Sequence, residues 1–136
     1  MRGGAGQRVR AYLLLVGAGL LVEGGALLLA SALRLPVPYV LDTPHNLLHV
    51  VWGVLILGIL TTARDPRRVS ALALLFGVFY TGLAIAGVVF ANPFGLLLGT
   101  GENIFHFVVG LSSLGAGTLM QLRWGTVVAV PDASGR

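Results

Sequence analysis

Histidine and carboxylate side chains recur at one spacing in two separate parts of the chain. His45 and His49 lie four residues apart, and Glu102 and His106 have the same spacing. In a helix this spacing places both side chains of a pair on one face. Imidazole and carboxylate groups are suitable ligands for zinc, iron or copper. If the two helices pack together, His45, His49, Glu102 and His106 are therefore predicted to form the ligand set of a divalent transition metal.

The same histidines are open to two other interpretations. His49 and His106 could supply the two axial ligands of a haem. Such a haem would be held without covalent attachment, because the chain has no cysteine. Histidines in transmembrane helices also commonly form hydrogen bonds to a neighbouring helix, and no cofactor is then required. The sequence leaves these alternatives open.

Three further polar residues lie inside apolar segments or at their start, namely Glu23, Asn46 and Asn103. Glu23 lies near the middle of the first apolar run, where a polar group is costly and often marks a functional site. Asn46 and Asn103 are expected in the first turn of their helices. There they could bind free backbone amides or each other across the bundle.

The composition shows which kind of protein must position these residues. The chain has 136 residues, of which 56% are hydrophobic and only 10% are charged, whereas soluble domains carry about 25% charged residues. The mean hydropathy is +0.90. Such a chain cannot cover itself with polar surface in water, which excludes a soluble enzyme, a nucleic-acid-binding domain and a disordered chain. An integral membrane protein remains.

Four apolar runs predict four transmembrane helices, at about 11–33, 44–63, 66–90 and 101–122, in a single domain over residues 1–136. Each run has the length that a helix needs to cross ~30 Å of hydrocarbon. The first run is long for a signal peptide, so we expect a retained helix. Thr43-Pro44 and Asp65-Pro66 each read as an N-cap followed by proline at the first helical position. Residues 124–136 are predicted to form a short tail.

The distribution of arginine predicts the orientation in the membrane. If both termini are cytoplasmic, eight of the nine basic residues lie on the inner side and only Arg34 lies on the outer side. This is a strong positive-inside bias. We therefore expect a multi-pass protein of the inner (plasma) membrane with both termini in the cytoplasm.

An internal repeat relates the two halves of the chain. When the sequence is shifted by 57 residues, 10 of 26 positions in Pro36–Thr61 match Pro93–Thr118. The matches share the pattern Asn-x-x-His-x-Val-x-Gly. The repeats, at about 9–63 and 66–120, predict a four-helix bundle of two tandem helical hairpins related by an axis along the membrane normal. The same shift pairs Glu23 with Tyr80, so these two side chains could form a hydrogen bond across the axis; the alternative is that Glu23 pairs with His49 or His106.

The segments DTPHNLLH, HNLLHVVWG and GENIFHFVVGLSSLGAG resemble a family of small bacterial four-span membrane proteins known as domain of unknown function 4383. The resemblance covers about Arg8 to Leu122. It implies a four-helix membrane fold and implies no activity, because the family has no established one.

Three functions are compatible with these patterns. We expect a non-enzymatic protein without a cofactor, an accessory or structural subunit that packs against other membrane subunits or against copies of itself. This expectation depends on the short loops, which leave no room for a substrate domain, and on the glycine-rich helices, which suit helix–helix contact. The first alternative is a protein that binds a metal ion or haem through the duplicated histidines. The second is a path for protons or a small solute.

Overall fold

The computed structural model describes residues 4–37, 42–90 and 92–128, and for Ala5 and residues 123–128 it describes only the backbone. The four helices are α1 (Gly4–Ala32), α2 (Thr43–Thr62), α3 (Pro66–Val89) and α4 (Thr100–Val128), with one 3₁₀ turn at Pro93–Gly95. No β-strand is present among the described residues. All four helices are long and apolar enough to cross a membrane. The predicted all-α transmembrane architecture is therefore confirmed.

Two helices extend beyond the apolar runs that predicted them. Helix α1 begins at Gly4, and α4 continues to Val128. The apolar run marks only the part of a helix that lies in hydrocarbon, and a helix continues past it unless a proline or a cap ends it. Neither extension contains a proline. The predicted tail thus begins inside α4, and residues 129–136 lie outside the described residues.

Two aspartates fix where α2 and α3 begin. The predicted N-cap Thr43 is wrong, because Asp42 caps α2 and its Oδ1 accepts a hydrogen bond from the His45 N–H at 3.4 Å. Aspartate is a stronger cap than threonine, and Asp42 stands one residue earlier. Asp65 caps α3 as predicted and accepts from the Arg67 N–H at 2.9 Å.

The helices form two hairpins, in which α1 packs mainly on α2 and α3 mainly on α4, with fewer contacts between the hairpins. Glycines allow this close packing. A Cβ atom on Gly53 would lie 2.8 Å from the carbonyl oxygen of Gly17, and one on Gly77 would lie 2.9 Å from the carbonyl oxygen of Gly110. Close backbone contact at small residues is typical of helix packing in membranes.

The two ends of the bundle differ in character. Helix α1 and α3 begin, and α2 ends, at the end that we call the arginine-rich end, which carries Arg8, Arg10, Arg64, Arg67 and Arg68. There the Arg10 guanidinium donates to the carbonyl oxygen of Ala63 at 2.8 Å and also to that of Leu60. Leu60 lies in the last turn of α2 and Ala63 is its C-cap residue, so Arg10 caps the end of α2 and joins it to α1. At the opposite end, which we call the histidine end, α2 and α4 begin.

The hydrophobic core fills the bundle from the arginine-rich end to its middle. Its largest fully buried side chains are Leu13, Ile56, Phe76 and Tyr80, and Trp52 packs edge-on against Phe76 with ring centroids 5.2 Å apart. Many large apolar side chains face outward on all four helices. In a bundle of this length and composition that outer surface contacts the lipid bilayer.

Candidate metal centre

The first two turns of α2 carry two of the three histidines. Asp42 fixes these turns in two ways, because its Oδ1 caps α2 and its Oδ2 accepts from the Leu97 N–H at 2.7 Å. Leu97 belongs to the segment that leads into α4, so this carboxylate joins the starts of both helices. His45 and His49 consequently lie on the face of α2 that turns towards α4, and both are buried.

His106 on α4 completes a cluster of three imidazoles. It is fully buried, and its Nε2 lies 3.3 Å from the Nε2 of His45, a distance at which one ring can donate a hydrogen bond to the other. With one ring nitrogen taken from each imidazole, the three nitrogens of His45, His49 and His106 lie within 4.8 Å of one another. Two imidazole nitrogens on one tetrahedral Zn²⁺, each about 2.0–2.1 Å from the ion, lie roughly 3.3 Å apart. The Nε2 atoms of His45 and His106 already have this separation, and a shift of up to about 1.5 Å would bring the third nitrogen to the same distance.

Glu23 on α1 contacts the cluster from the side. Its Oε2 lies 2.5 Å from the Nδ1 of His49, a short contact between a carboxylate and an imidazole. The other ring nitrogen of His49, Nε2, is buried and has no hydrogen-bond partner. This is the arrangement in which a carboxylate fixes the ring of a metal-binding histidine and leaves its second nitrogen free for the ion.

The other predicted site residues are not among the three imidazole ligands. Glu102 is exposed, and it is not a member of the group of three ligands. Asn46 is buried, and its backbone carbonyl packs against Gly24 of α1. Asn103 donates from Nδ2 to the carbonyl oxygen of Leu98 at 3.5 Å, so it holds the turn before α4.

The predicted hydrogen bond between Glu23 and Tyr80 is wrong. Glu23 binds His49, and the buried hydroxyl of Tyr80 has no hydrogen-bond partner. Its ring instead stacks on that of His49, with centroids 6.2 Å apart.

Glu23 and Tyr80 do not meet because α1 packs against α2 in a different register from that of α3 against α4. The contacting glycines Gly53 and Gly110 are 57 residues apart, whereas their partners Gly17 and Gly77 are 60 apart. By this spacing of 60 residues Tyr80 occupies the place in α3 that the buried Leu20 occupies in α1. A uniform shift of 57 residues would instead match Tyr80 to Glu23, which lies nearly one turn farther along α1.

A cavity of about 1300 Å³ adjoins the histidines. It lies between α1 and α4, and its walls include Leu15, Leu20 and Val109. Towards the arginine-rich end the two helices come together, because the Tyr12 hydroxyl donates to the Val109 carbonyl oxygen at 3.1 Å and lies 2.8 Å from the Ser113 hydroxyl. The cavity thus occupies the histidine end only.

Sequence reasoning missed two residues that shape this site, Asp42 and Tyr12. Asp42 stands directly before the predicted cap and is the better capping residue, so the capping preference alone could have found it. Tyr12 gave no such signal, because its partners on α4 are about one hundred positions away in the chain.

The fold and the site together define a class of protein. Four apolar helices with a polar cluster between them form a multi-pass, four-helix membrane protein. A family model described as Domain of unknown function (DUF4383) matches residues 40–119, and the chain belongs to this family. The match includes α3 and both histidine helices up to residue 119, and it confirms the resemblance inferred from the sequence. No curated protein and no solved structure is significantly similar to the chain.

Proposed function

We propose that this membrane protein binds one divalent transition-metal ion through His45, His49 and His106. The observation that carries the proposal is the convergence of three buried imidazoles whose ligand nitrogens lie within 4.8 Å of one another. Three imidazoles suit Zn²⁺, Cu²⁺, Ni²⁺ or Co²⁺ better than Mg²⁺ or Ca²⁺, which take oxygen ligands. Glu102, which the spacing placed in the ligand set, is replaced in this proposal by Glu23 as the hydrogen-bond partner of His49.

An unpaired nitrogen favours an ion over purely structural hydrogen bonding. The Nε2 of His49 is buried without a partner. Leaving a buried polar atom unsatisfied costs about 1–3 kcal/mol, and native proteins contain few such atoms. A metal ion at the centre of the cluster would satisfy this nitrogen, which no protein group within the described ranges does.

The packing also favours an ion over a haem. The ring of His45 lies 4.6 Å from that of His49 and 5.2 Å from that of His106, measured between centroids. It therefore stands beside both rings where a macrocycle between His49 and His106 would have to enter. A proton path meets a different obstacle, because Phe76 and Tyr80 fill the bundle on the side of the histidines that faces the arginine-rich end.

Metal analysis of the purified protein tests the proposal. The full chain, prepared in mild detergent without a histidine tag and stripped with a chelator, should take up one Co²⁺ or Zn²⁺ per chain in a calorimetric titration. His49→Ala and His106→Ala should each abolish high-affinity binding, and Glu102→Gln should not. Helical circular dichroism identifies any variant that fails to fold. A folded wild-type chain that takes up no ion, or folded histidine variants that bind as well as wild type, would overturn the proposal.

We propose in addition that the protein works as a non-enzymatic subunit beside other membrane helices. Gly58 and Gly115, which are equivalent in the repeat, both face outward, and nothing lies within 4 Å of a Cβ atom placed on either. Outward-facing small residues allow a further transmembrane helix to approach closely. Crosslinking in the native membrane should yield a defined larger species that Gly58→Leu weakens. A chain that crosslinks to nothing, or crosslinks equally with Gly58→Leu, would contradict this role.

The orientation proposed from the sequence fits the positions of the arginines. Arg8, Arg10, Arg64, Arg67 and Arg68 lie at one end of the bundle, and Arg34 follows α1 at the other. By the positive-inside bias the arginine-rich end faces the cytoplasm of a plasma membrane, and the histidine end faces outward.

A further inference from the structure

The proposed ion would have only three protein ligands. Glu23, the carboxylate nearest to the imidazoles, is already bound to the Nδ1 of His49, and Glu102 stands outside the cluster. Three protein ligands with a fourth position left open are typical of metal sites that bind a water molecule or an external ligand. The question is therefore which molecule can reach that position.

The cavity leads directly to the histidines. His45, His49, His106 and Glu23 all line it, and its volume of about 1300 Å³ exceeds the ~300–1,000 Å³ of common ligand pockets. Along α1, from Glu23 towards the arginine-rich end, its walls are apolar and include Leu15, Val16 and Leu20. A polar end and apolar walls match an amphiphile with a ligating head and a hydrocarbon tail.

The position of the site in the bilayer fits the same kind of molecule. His45 is three residues from the cap of α2 and His49 is seven residues from it. At ~1.5 Å per residue these imidazoles lie about 5–10 Å below the start of the helix. This is the depth just beneath lipid headgroups. From the histidines the apolar walls of the cavity continue towards the middle of the bilayer, which is the direction in which a lipid tail extends.

Charge distinguishes a lipid ligand from a soluble anion. The half-exposed Glu23 carboxylate at the cluster offsets one of the two charges of a divalent ion, which leaves one positive charge for an anionic head to neutralise. Two more carboxylates line the cavity, the buried Asp42 and the exposed Glu102. These repel an anion that arrives from water, and a membrane-borne ligand entering between α1 and α4 avoids them.

We infer that the cavity binds a single-chain amphiphile with an anionic oxygen-donor head, such as a long-chain carboxylate, and that this head occupies the open position of the metal ion. The inference rests on the proposed metal site and names the class of ligand which that site accepts. The tail lies between α1 and α4, and the closure of these helices by Tyr12 limits its depth.

Two hydroxamate probes with the same head test the inference. The Co²⁺-loaded full chain, in vesicles, is titrated with decanohydroxamate and with acetohydroxamate, and the visible absorption of Co²⁺ reports any change of ligand. The long probe should bind at a concentration at least about tenfold lower than the short one, because its tail places it in the bilayer beside the site. Equal binding of both probes would identify a site for soluble anions and would overturn the lipid assignment.

A matched pair of glycine variants separates binding in the cavity from simple partition into the membrane. Gly19 lines the cavity and Gly82 faces outward on α3, and nothing lies within 4 Å of a Cβ atom placed on either. Gly19→Phe should keep Co²⁺ and weaken decanohydroxamate binding about tenfold, whereas Gly82→Phe should change neither. Unchanged decanohydroxamate binding in Gly19→Phe would overturn the inference and leave the metal site standing. A chain that binds no Co²⁺ overturns both.

Discussion

Replacing Glu23 by glutamine should weaken metal binding without removing any of the three ligands. In Glu23→Gln the side chain keeps its shape but loses the charge that holds the Nδ1 of His49 at 2.5 Å. Loss of a carboxylate that orients a metal-binding histidine costs about 10–100-fold in affinity, or about 1.4–2.8 kcal/mol. Because the Glu23 side chain is 51% exposed, its charge is partly screened, and we expect the lower part of this range, roughly 10–30-fold.

The assay is a competition for Zn²⁺ between the detergent-solubilised protein and a chromophoric chelator of known affinity. Glu102→Gln is the matched control, because it makes the same chemical change in an exposed carboxylate outside the histidine cluster. The control should bind Zn²⁺ as the wild type does. If Glu102→Gln weakens binding as much as Glu23→Gln or more, Glu102 is the functional carboxylate and the reasoning from the Glu23–His49 contact fails.

Three further predictions concern the packing and the orientation. Tyr12→Phe removes the hydroxyl that contacts Val109 and Ser113 of α4. The free energy of unfolding, measured by denaturation in mixed micelles, should fall by at least about 0.6 kcal/mol, a typical value for one interhelical hydrogen bond in a membrane protein. An unchanged value would mean that packing alone holds α1 to α4. Gly53→Leu should destabilise the bundle by about 1–3 kcal/mol through overpacking against α1. The outward-facing Gly58→Leu should have little effect on the detergent-solubilised monomer. Equal melting temperatures of these two variants would contradict the close contact of α1 and α2 at Gly53. Reporter fusions after Arg68 and after Thr100 should give opposite signals, because these residues lie at opposite ends of the bundle; matching signals would contradict four membrane crossings.

The sequence alone predicted the four helices well. Long apolar runs broken at Pro44 and Pro66 leave few alternatives, because only a helix satisfies its own backbone groups in hydrocarbon. The spacing of His45 and His49 placed both side chains on one face of α2, since that direction depends on the geometry of a single helix. The duplicated pattern around His49 and His106 likewise indicated that α2 and α4 carry the polar residues.

The spacing did not decide which carboxylate, Glu23 or Glu102, contacts the histidines. Glu102 has the favourable spacing to His106, yet it is exposed at the wall of the cavity. Its equivalent in the first repeat, His45, is buried. Spacing determines where a side chain points on its own helix, but not whether a neighbouring helix covers that face.

The register between helices decided which residues meet. A uniform shift of 57 residues pairs Glu23 with Tyr80, whereas the glycine contacts relate α1 to α3 by 60. That difference of three residues is nearly one helical turn, about 4.5 Å along the axis. Because of this difference Tyr80 lies in the core, and Glu23 contacts His49.

The sequence by itself therefore determined the number of helices, the family and the faces on which the histidines lie, because these depend on local hydrophobicity and on the periodicity of one helix. The tertiary structure alone decided that Glu23 binds His49, that three imidazoles converge and that a cavity opens beside them. These features depend on how far one helix slides and tilts against another. Contacts between residues far apart in the chain set that sliding, notably Gly17 with Gly53 and Tyr12 with Ser113.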